Sequence, residues 1–197
     1  FSALDENLRG EMRILVRELQ QRLRITTIFV THDQREALAV ADRIALLLDG
    51  RIEQEGEPRD LLLAPSSARA ARFFGWTLLA GERNGQTVRT AAGGLKLPHA
   101  EGAGPCYVAF RPENTRLCAC GKLEGALRGR LVSLIDYGAR WQWRVRLSGG
   151  EVLESDQTKM TCECHPRVGD DIKLLVPENA VKCYAAQEST KRDGDTF

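Results

Sequence analysis

The segment from Thr31 to Ala37, with the sequence Thr-His-Asp-Gln-Arg-Glu-Ala, contains the side chain in this protein best suited to chemistry, the imidazole of His32. Asp33 is a good helix N-cap and Glu36 follows three residues later, so a helix is expected to begin directly after the histidine. Strand ends and helix N-termini meet where open α/β sheets bind ligands, and a neutral imidazole there can donate to a phosphate oxygen. His32 is therefore a candidate phosphate-contacting residue, with an ordinary surface histidine as the alternative.

The elements around this histidine are predicted to alternate helix and strand over residues 1–75. After an N-cap at Asp5, apolar residues recur every three or four positions, the pattern of a helix of about five turns. They are Leu8, Met12, Leu15, Leu19 and Leu23. The apolar, β-branched runs at 25–31 and 43–48 are typical of strands buried on both faces of a parallel sheet. The first half is therefore predicted to be an α/β fragment.

Turn and helix-end residues support the same alternation of helices and strands in residues 1–75. Asp49-Gly50 is a two-residue hairpin signal between the run at 43–48 and a returning strand at 51–55. Pro58 is placed to begin a helix and Gly75 to end one.

Residues 76–186 are predicted to form a small β-barrel or sandwich, because glycine recurs every 8 to 12 residues between short alternating segments. The boundary is expected near Gly75-Trp76. Residues 187–197 are polar and charged, and a disordered tail is expected there.

The composition limits the function classes. The 197 residues contain 28 Lys and Arg against 27 Asp and Glu, a formal net charge of +1. Because no region has a basic surplus, a nucleic-acid partner is not expected. No run of about 18 uncharged apolar residues occurs, so no membrane-spanning helix is predicted.

Four segments in order resemble the nucleotide-binding subunit of an ATP-binding-cassette (ABC) importer: residues 1–5, 29–37, 41–44 and 49–52. Arg111-Pro112-Glu113, after a glycine-bounded strand, is similar to the appended OB-like barrel known as the TOBE domain. The resemblance covers the last third of the ATPase domain together with that barrel. It implies an α/β fragment of a P-loop nucleotide-binding domain, residues 1–75, followed by a regulatory TOBE barrel, residues 76–186.

The resemblance also implies site residues and partners. Ser2, Ala3, Leu4 and Asp5 match the D-loop, which crosses the dimer interface beside the partner's ATP site. His32 matches the switch histidine at the γ-phosphate, the catalytic residue expected here. The implied cofactors are ATP and Mg²⁺, and the implied partners are a second copy of the chain and transmembrane permease subunits. The implied location is cytoplasmic, peripheral on the inner face of the membrane, with a small-molecule ligand possible at the barrel.

The sequence departs from the family pattern in the ATP site itself. The phosphate-binding pattern G-x-x-x-x-G-K-[ST] is absent, and the glutamine loop and the general-base glutamate, which would precede Phe1, are absent as well. Leu147-Ser-Gly-Gly-Glu151 resembles the family's signature loop, but it joins two alternating segments and is interpreted as a hairpin turn. We therefore expect that this chain alone does not hydrolyse ATP and that it is the C-terminal part of a longer subunit.

Two hypotheses from other classes remain. One is a stand-alone module whose barrel binds an oxyanion or a metal. The other is a thiol–metal site formed by Cys118, Cys120, Cys162 and Cys164. Because C-x-C in a strand spaces its side chains by about 7 Å, buried free thiols are favoured over metal ligands. Trp141 and Trp143 are interpreted as core or interface residues in preference to a stacking surface.

Overall fold

The computed structural model describes residues 6–97, 102–118, 126–158 and 166–186. The chain divides into two compact units between Ser66 and Ser67. The D-loop candidates at 2–5 and the predicted tail at 187–197 lie outside the described residues. The sequence placed the change near Gly75, whereas in the structure the helix at 68–73 belongs to the second unit.

The described part of unit 1 contains three helices and one β-hairpin. They are α1 (Glu6–Leu23), α2 (Gln34–Val40), β1 (Ile44–Leu48), β2 (Arg51–Gly56) and α3 (Pro58–Leu63). The helix predicted from the apolar residues between Leu8 and Leu23 is confirmed as α1. It ends at Leu23 because Arg24 adopts a left-handed conformation with φ of 52°. The predicted start of a helix at Pro58 is confirmed by α3.

The predicted parallel sheet is wrong for the described part of unit 1. Residues 25–31 form no strand, and Ile28 and Val30 are 89% and 90% exposed. β1 pairs only with β2, antiparallel, and of its side chains only that of Leu46 is buried. A strand needs a neighbour for its N–H and C=O groups, and no described strand pairs with residues 25–31. The apolar run therefore remains extended chain.

The hairpin prediction is confirmed. Asp49 and Gly50 both have positive φ, 51° and 72°, and they join β1 to β2. A two-residue turn of this kind matches the right-handed twist of the flanking strands, and glycine reaches the second position without steric cost.

Unit 2 begins with a short helix and continues as an antiparallel β structure. The elements are α4 (Ala68–Phe73), β3 (Thr77–Asn84), β4 (Thr87–Thr90), β5 (Gly93–Lys96), β6 (Ala103–Phe110), β7 (Arg116–Cys118), β8 (Ala126–Asp136), β9 (Arg140–Leu147), β10 (Val152–Thr158), β11 (Asp171–Leu175) and β12 (Val181–Ala185). α4 packs on β3 and β6 and is followed by Gly75 with φ of 77°, the predicted end of the helix.

The ten described strands of unit 2 form one sheet that curls into a half-barrel. Its order is β10-β9-β8-β5-β4-β3-β6-β12, and β11 joins β8 to β7. The eleven-residue β8 therefore pairs with three neighbours and connects the two halves of the sheet. The predicted small β domain is confirmed, and its architecture is consistent with an OB-like barrel.

A side chain bridges the gap between β10 and β7. The Oε1 atom of Gln157, on β10, accepts a hydrogen bond of 2.8 Å from the backbone N–H of Leu117, on β7. Gln157 is 7% exposed and Leu117 is 1% exposed. The amide oxygen thus satisfies a buried backbone donor at this edge of the half-barrel.

Replacing Gln157 by leucine is expected to destabilise unit 2 by about 1–3 kcal/mol, the usual effect of leaving a buried donor unsatisfied. Urea denaturation of the whole chain measures the change, and amide hydrogen exchange at Leu117 should accelerate. Val152→Thr, at a 56% exposed position of the same strand, is the control and should change stability by less than about 0.5 kcal/mol. Equal effects of the two substitutions would contradict the bridging role.

Candidate functional site

The segment that contains His32 is organised by the hydroxyl group of Thr31. Its Oγ1 atom accepts from the backbone N–H of Asp33 at 3.0 Å and donates to Oε2 of Glu36 at 2.6 Å. Asp33 caps α2, since its Oδ1 atom accepts from the N–H groups of Arg35 at 2.7 Å and Glu36 at 3.4 Å. The predicted N-cap is confirmed. In a capping box the Glu36 carboxylate would accept directly from the backbone N–H of Asp33. Here the Thr31 hydroxyl lies between them, accepting from that N–H and donating to the carboxylate.

This network holds the backbone on both sides of His32 while the imidazole is exposed. Glu36 is 8% exposed, and its carboxylate accepts a hydrogen bond from the Thr31 hydroxyl. A fixed backbone with an exposed imidazole can present a hydrogen-bond donor to an anion outside the chain. The arrangement is suited to contact with a ligand more than to packing within unit 1.

Helix α1 positions the other end of α2. The Nη1 atom of Arg17 donates to the carbonyl oxygen of Val40, the last residue of α2, at 2.6 Å. Its Nη2 atom lies 3.2 Å from Oδ1 of Asp42. One guanidinium group therefore satisfies a carbonyl at the end of α2 and pairs with the carboxylate that follows.

Thr31 is the residue of this segment whose hydrogen-bonding role sequence reasoning missed. A threonine two residues before an Asp N-cap was the available signal, because Ser and Thr hydroxyls bond backbone N–H groups two positions ahead. Of the predicted site residues, the structure describes His32 alone. Ser2, Ala3, Leu4 and Asp5 lie outside the described ranges.

Replacing Thr31 by valine, which has nearly the same shape, should loosen the start of α2. It leaves the N–H of Asp33 and the buried carboxylate of Glu36 without their shared partner, at a cost of about 1–3 kcal/mol. Hydrogen exchange at the amides of Arg35 and Glu36 should therefore accelerate about tenfold or more. Thr31→Ser keeps the hydroxyl and is the matched control. Equal exchange rates in the two variants would show that the hydroxyl does not organise this segment.

The thiol–metal hypothesis involved Cys118, Cys120, Cys162 and Cys164. Only Cys118, in β7, falls within the described residues. Two other cysteines, Cys106 on β6 and Cys183 on β12, are free and hydrogen-bonded to each other. Burial raises the pKa of Cys106 to about 12, with a further contribution from Cys183. Across the described ranges, no group of three or more His, Cys, Asp or Glu side chains could hold a metal ion.

The paired tryptophans of β9 belong to the core. Trp141 is 7% exposed and Trp143 is fully buried, both within the hydrophobic cluster of unit 2. The arginines on either side of this pair, Arg140, Arg144 and Arg146, lie at the alternating, solvent-exposed positions of the same strand. The preferred interpretation of these tryptophans as core residues is confirmed.

Residues 108–181 match the family model described as the TOBE domain. Unit 2 therefore contains a TOBE domain, and the observed half-barrel agrees with it.

Over nearly its whole length, the chain is similar to curated ATP-binding subunits of importers. It is 35% identical over 193 residues to the spermidine/putrescine import ATP-binding protein PotA of Mesorhizobium japonicum, covering 92% of this chain and 52% of that protein. It is 31% identical over 196 residues to the Fe(3+) ions import ATP-binding protein FbpC of Fusobacterium nucleatum, covering 96% and 52%. A shorter match, 46% identical over 121 residues, is to the sn-glycerol-3-phosphate import ATP-binding protein UgpC of Jannaschia sp., covering 58% and 34%.

The chain is thus a relative of the ATP-binding subunits of ABC importers, as the sequence motifs predicted. It spans about half the length of the curated relatives that it matches over most of its own length. In the described part of the chain, no helix is long and apolar enough to cross a membrane.

Proposed function

We propose that this chain is the C-terminal part of the ATP-hydrolysing subunit of an ABC importer for a small solute. The observation that carries the proposal is the similarity over 92–96% of the chain to importer ATP-binding proteins, combined with an exposed histidine at the matching position. In the proposal, His32 contacts the γ-phosphate of ATP, and Ser2, Ala3, Leu4 and Asp5 form the D-loop at the dimer interface.

The exposed apolar residues of unit 1 favour this function over a stand-alone ligand-binding module. Ile28, Val30, Leu47 and Ile52 are each at least 60% exposed. In the proposal, they pack against the preceding part of the ATPase domain, where residues 25–31 find the neighbouring strands that they lack here. A self-contained module would leave this apolar surface in water.

His32 has a limited role in the proposed reaction. Phosphoryl transfer depends on positioning and on stabilising charge at the phosphate oxygens, and the imidazole N–H is one donor among several. Asp33 and Glu36 already accept hydrogen bonds within their own segment, so neither is assigned to Mg²⁺. The residues described here do not fit a Mg²⁺ site, and the phosphate-binding loop is placed in the remainder of the subunit.

The proposed partners and location are those of an importer subunit. The chain pairs with a second copy and with transmembrane permease subunits, on the cytoplasmic face of the membrane. The TOBE domain serves dimerisation or regulation. The three relatives are named for three different solutes, a polyamine, ferric ions and glycerol 3-phosphate, so the proposed solute is defined only as small.

Titration with a fluorescent ATP analogue tests the proposal. This chain and a longer polypeptide that joins it to its N-terminal ATPase half are compared under identical conditions with Mg²⁺. We expect saturable binding by the longer polypeptide and binding at least about tenfold weaker by this chain, since one charge-assisted donor supplies only about 1.5–3 kcal/mol. Equal binding by the two, or none by the longer one, would contradict the proposal.

A further inference from the structure

The hydrogen bond between the side chain of Thr31 and the backbone of Asp33 closes a ring around His32. Oγ1 of Thr31 accepts from the N–H of Asp33 at 3.0 Å, the turn that Ser and Thr hydroxyls form with the backbone two residues ahead. The atoms of this ring include the main-chain N, Cα and C of His32, the residue in the middle. Both backbone torsions of His32, φ and ψ, are therefore restrained, and with them the direction of its Cα–Cβ bond.

A buried carboxylate fixes this ring to α2. The Thr31 hydroxyl donates to Oε2 of Glu36 at 2.6 Å, and Glu36, in the first turn of the helix, is 8% exposed. A hydroxyl has a single proton, so its donation to the carboxylate leaves the oxygen lone pairs to accept from Asp33. Glu36 therefore sets the orientation of the hydroxyl, and the hydroxyl restrains the backbone of His32.

The restraint acts on a residue that is itself exposed. The imidazole of His32 lies at the surface, and residues 25–30 before it are exposed chain without regular structure. A buried carboxylate needs hydrogen-bond partners, and here it holds the hydroxyl next to an exposed imidazole. Packing of the imidazole within unit 1 does not require a fixed backbone at this position, whereas aiming the imidazole at a ligand does.

We propose that Thr31, held by Glu36, is a positioning residue that aims the imidazole of His32 at the γ-phosphate of ATP. This inference rests on the proposed function, in which His32 donates to that phosphate. A donor that is already oriented loses less conformational freedom when it binds, and catalysis is sensitive to a misplacement of about 1 Å. Thr31 touches no phosphate in this proposal, so its effect on hydrolysis must pass through His32.

A double-mutant cycle of ATP hydrolysis in the full-length subunit tests the inference. Thr31→Val is expected to lower kcat about tenfold and to change the KM for ATP less than about twofold, because the donor is present but no longer aimed. In a subunit that already carries His32→Ala, the same substitution should change kcat less than about twofold, because no imidazole remains to be positioned. Equal losses in the two backgrounds, as a general structural role would give, would overturn the inference, and so would a kcat that Thr31→Val leaves unchanged.

Matched variants identify the groups responsible. Thr31→Ser keeps the hydroxyl and should retain most of the rate, and Thr87→Val makes the same chemical change at an exposed position of β4 and should leave the rate unchanged. Glu36→Met removes the acceptor and should lower kcat, whereas Glu36→Gln keeps an oxygen acceptor and should recover most of the loss. Equal losses in Thr31→Ser and Thr31→Val, or in Glu36→Gln and Glu36→Met, would overturn the assigned roles.

Amide relaxation measured by NMR on the whole chain separates this inference from the proposed function, because it needs no ATP. The backbone order parameter of His32 should be about 0.85, as in rigid backbone, and should fall below about 0.6 in Thr31→Val but not in Thr31→Ser. An unchanged value in Thr31→Val would overturn the inference and leave the proposed function standing. A lowered value, together with a hydrolysis rate that His32→Ala does not affect, would overturn the proposed contact with ATP and with it the positioning role.

Discussion

Replacing His32 by alanine in the full-length subunit is expected to lower its ATP hydrolysis rate by about ten- to a hundredfold. The imidazole would donate a charge-assisted hydrogen bond to the γ-phosphate, and such a bond contributes about 1.5–3 kcal/mol, with 1.36 kcal/mol corresponding to a factor of ten. Because that bond strengthens as charge develops on the phosphate oxygens, kcat should fall more than ATP affinity. Steady-state phosphate release and separate nucleotide binding measure the two quantities.

Two variants of the same subunit control for indirect effects. Arg51→Ala removes a cation from an exposed position of β2, and its hydrolysis rate should be unchanged. His32→Gln keeps an N–H donor of smaller reach and should recover part of the rate lost in alanine. A rate unaffected by His32→Ala would remove the role that we propose for this histidine, whereas a fall in Arg51→Ala would indicate general disruption of unit 1.

The elements predicted correctly in unit 1 depend on local chemistry. The cap at Asp33 and the turn at Asp49-Gly50 are determined by side-chain oxygens and backbone torsions within a few residues. The run at 25–31 has the composition of a buried strand, but a strand is defined by its neighbours. Because no described strand pairs with it, composition alone gave the wrong state.

In unit 2, glycine spacing and alternating side chains were sufficient to predict a small β domain and to place Trp143 in its core. The closure of the half-barrel was not predictable in the same way. Gln157 bonds to Leu117, 40 residues earlier in the chain, and neither residue type at its position indicates that contact. Pairing between such distant segments depends on the assembled sheet.

In the candidate site, too, features set by neighbouring residues were predicted and features that depend on the formed structure were not. His32 was identified from a motif whose residues are adjacent in sequence, and the cap that follows it was confirmed. The hydroxyl of Thr31 was overlooked because its two bonds, to Asp33 and Glu36, form only after α2 has begun. The assignment of Ser2, Ala3, Leu4 and Asp5 to the D-loop stays a prediction.

Replacing Trp143 by alanine is expected to destabilise unit 2 by about 3–5 kcal/mol, the largest stability effect predicted here. Trp143 is fully buried in the centre of β9, and its register partners are Leu134 on β8 and Ser155 on β10. Truncation would leave a cavity among three paired strands, which can collapse only by distorting the sheet. Urea denaturation of the whole chain, followed by far-ultraviolet circular dichroism, measures the loss.

The indole N–H of Trp143 makes a second variant informative. Its Nε1 atom is buried and has no hydrogen-bond partner, so Trp143→Phe removes an unsatisfied donor as well as part of the ring. Because an unsatisfied buried donor costs about 1–3 kcal/mol, this gain should offset much of the lost packing.

Trp141→Phe is the matched comparison, because Nε1 of Trp141 lies 3.4 Å from its acceptor, Oδ2 of Asp136. We expect Trp143→Phe to be no more destabilising than Trp141→Phe, although Trp143 is the more deeply buried. A loss in Trp143→Phe that approaches the loss in Trp143→Ala would mean that the indole N–H is hydrogen-bonded in solution, and the core of the half-barrel would then contain a polar contact.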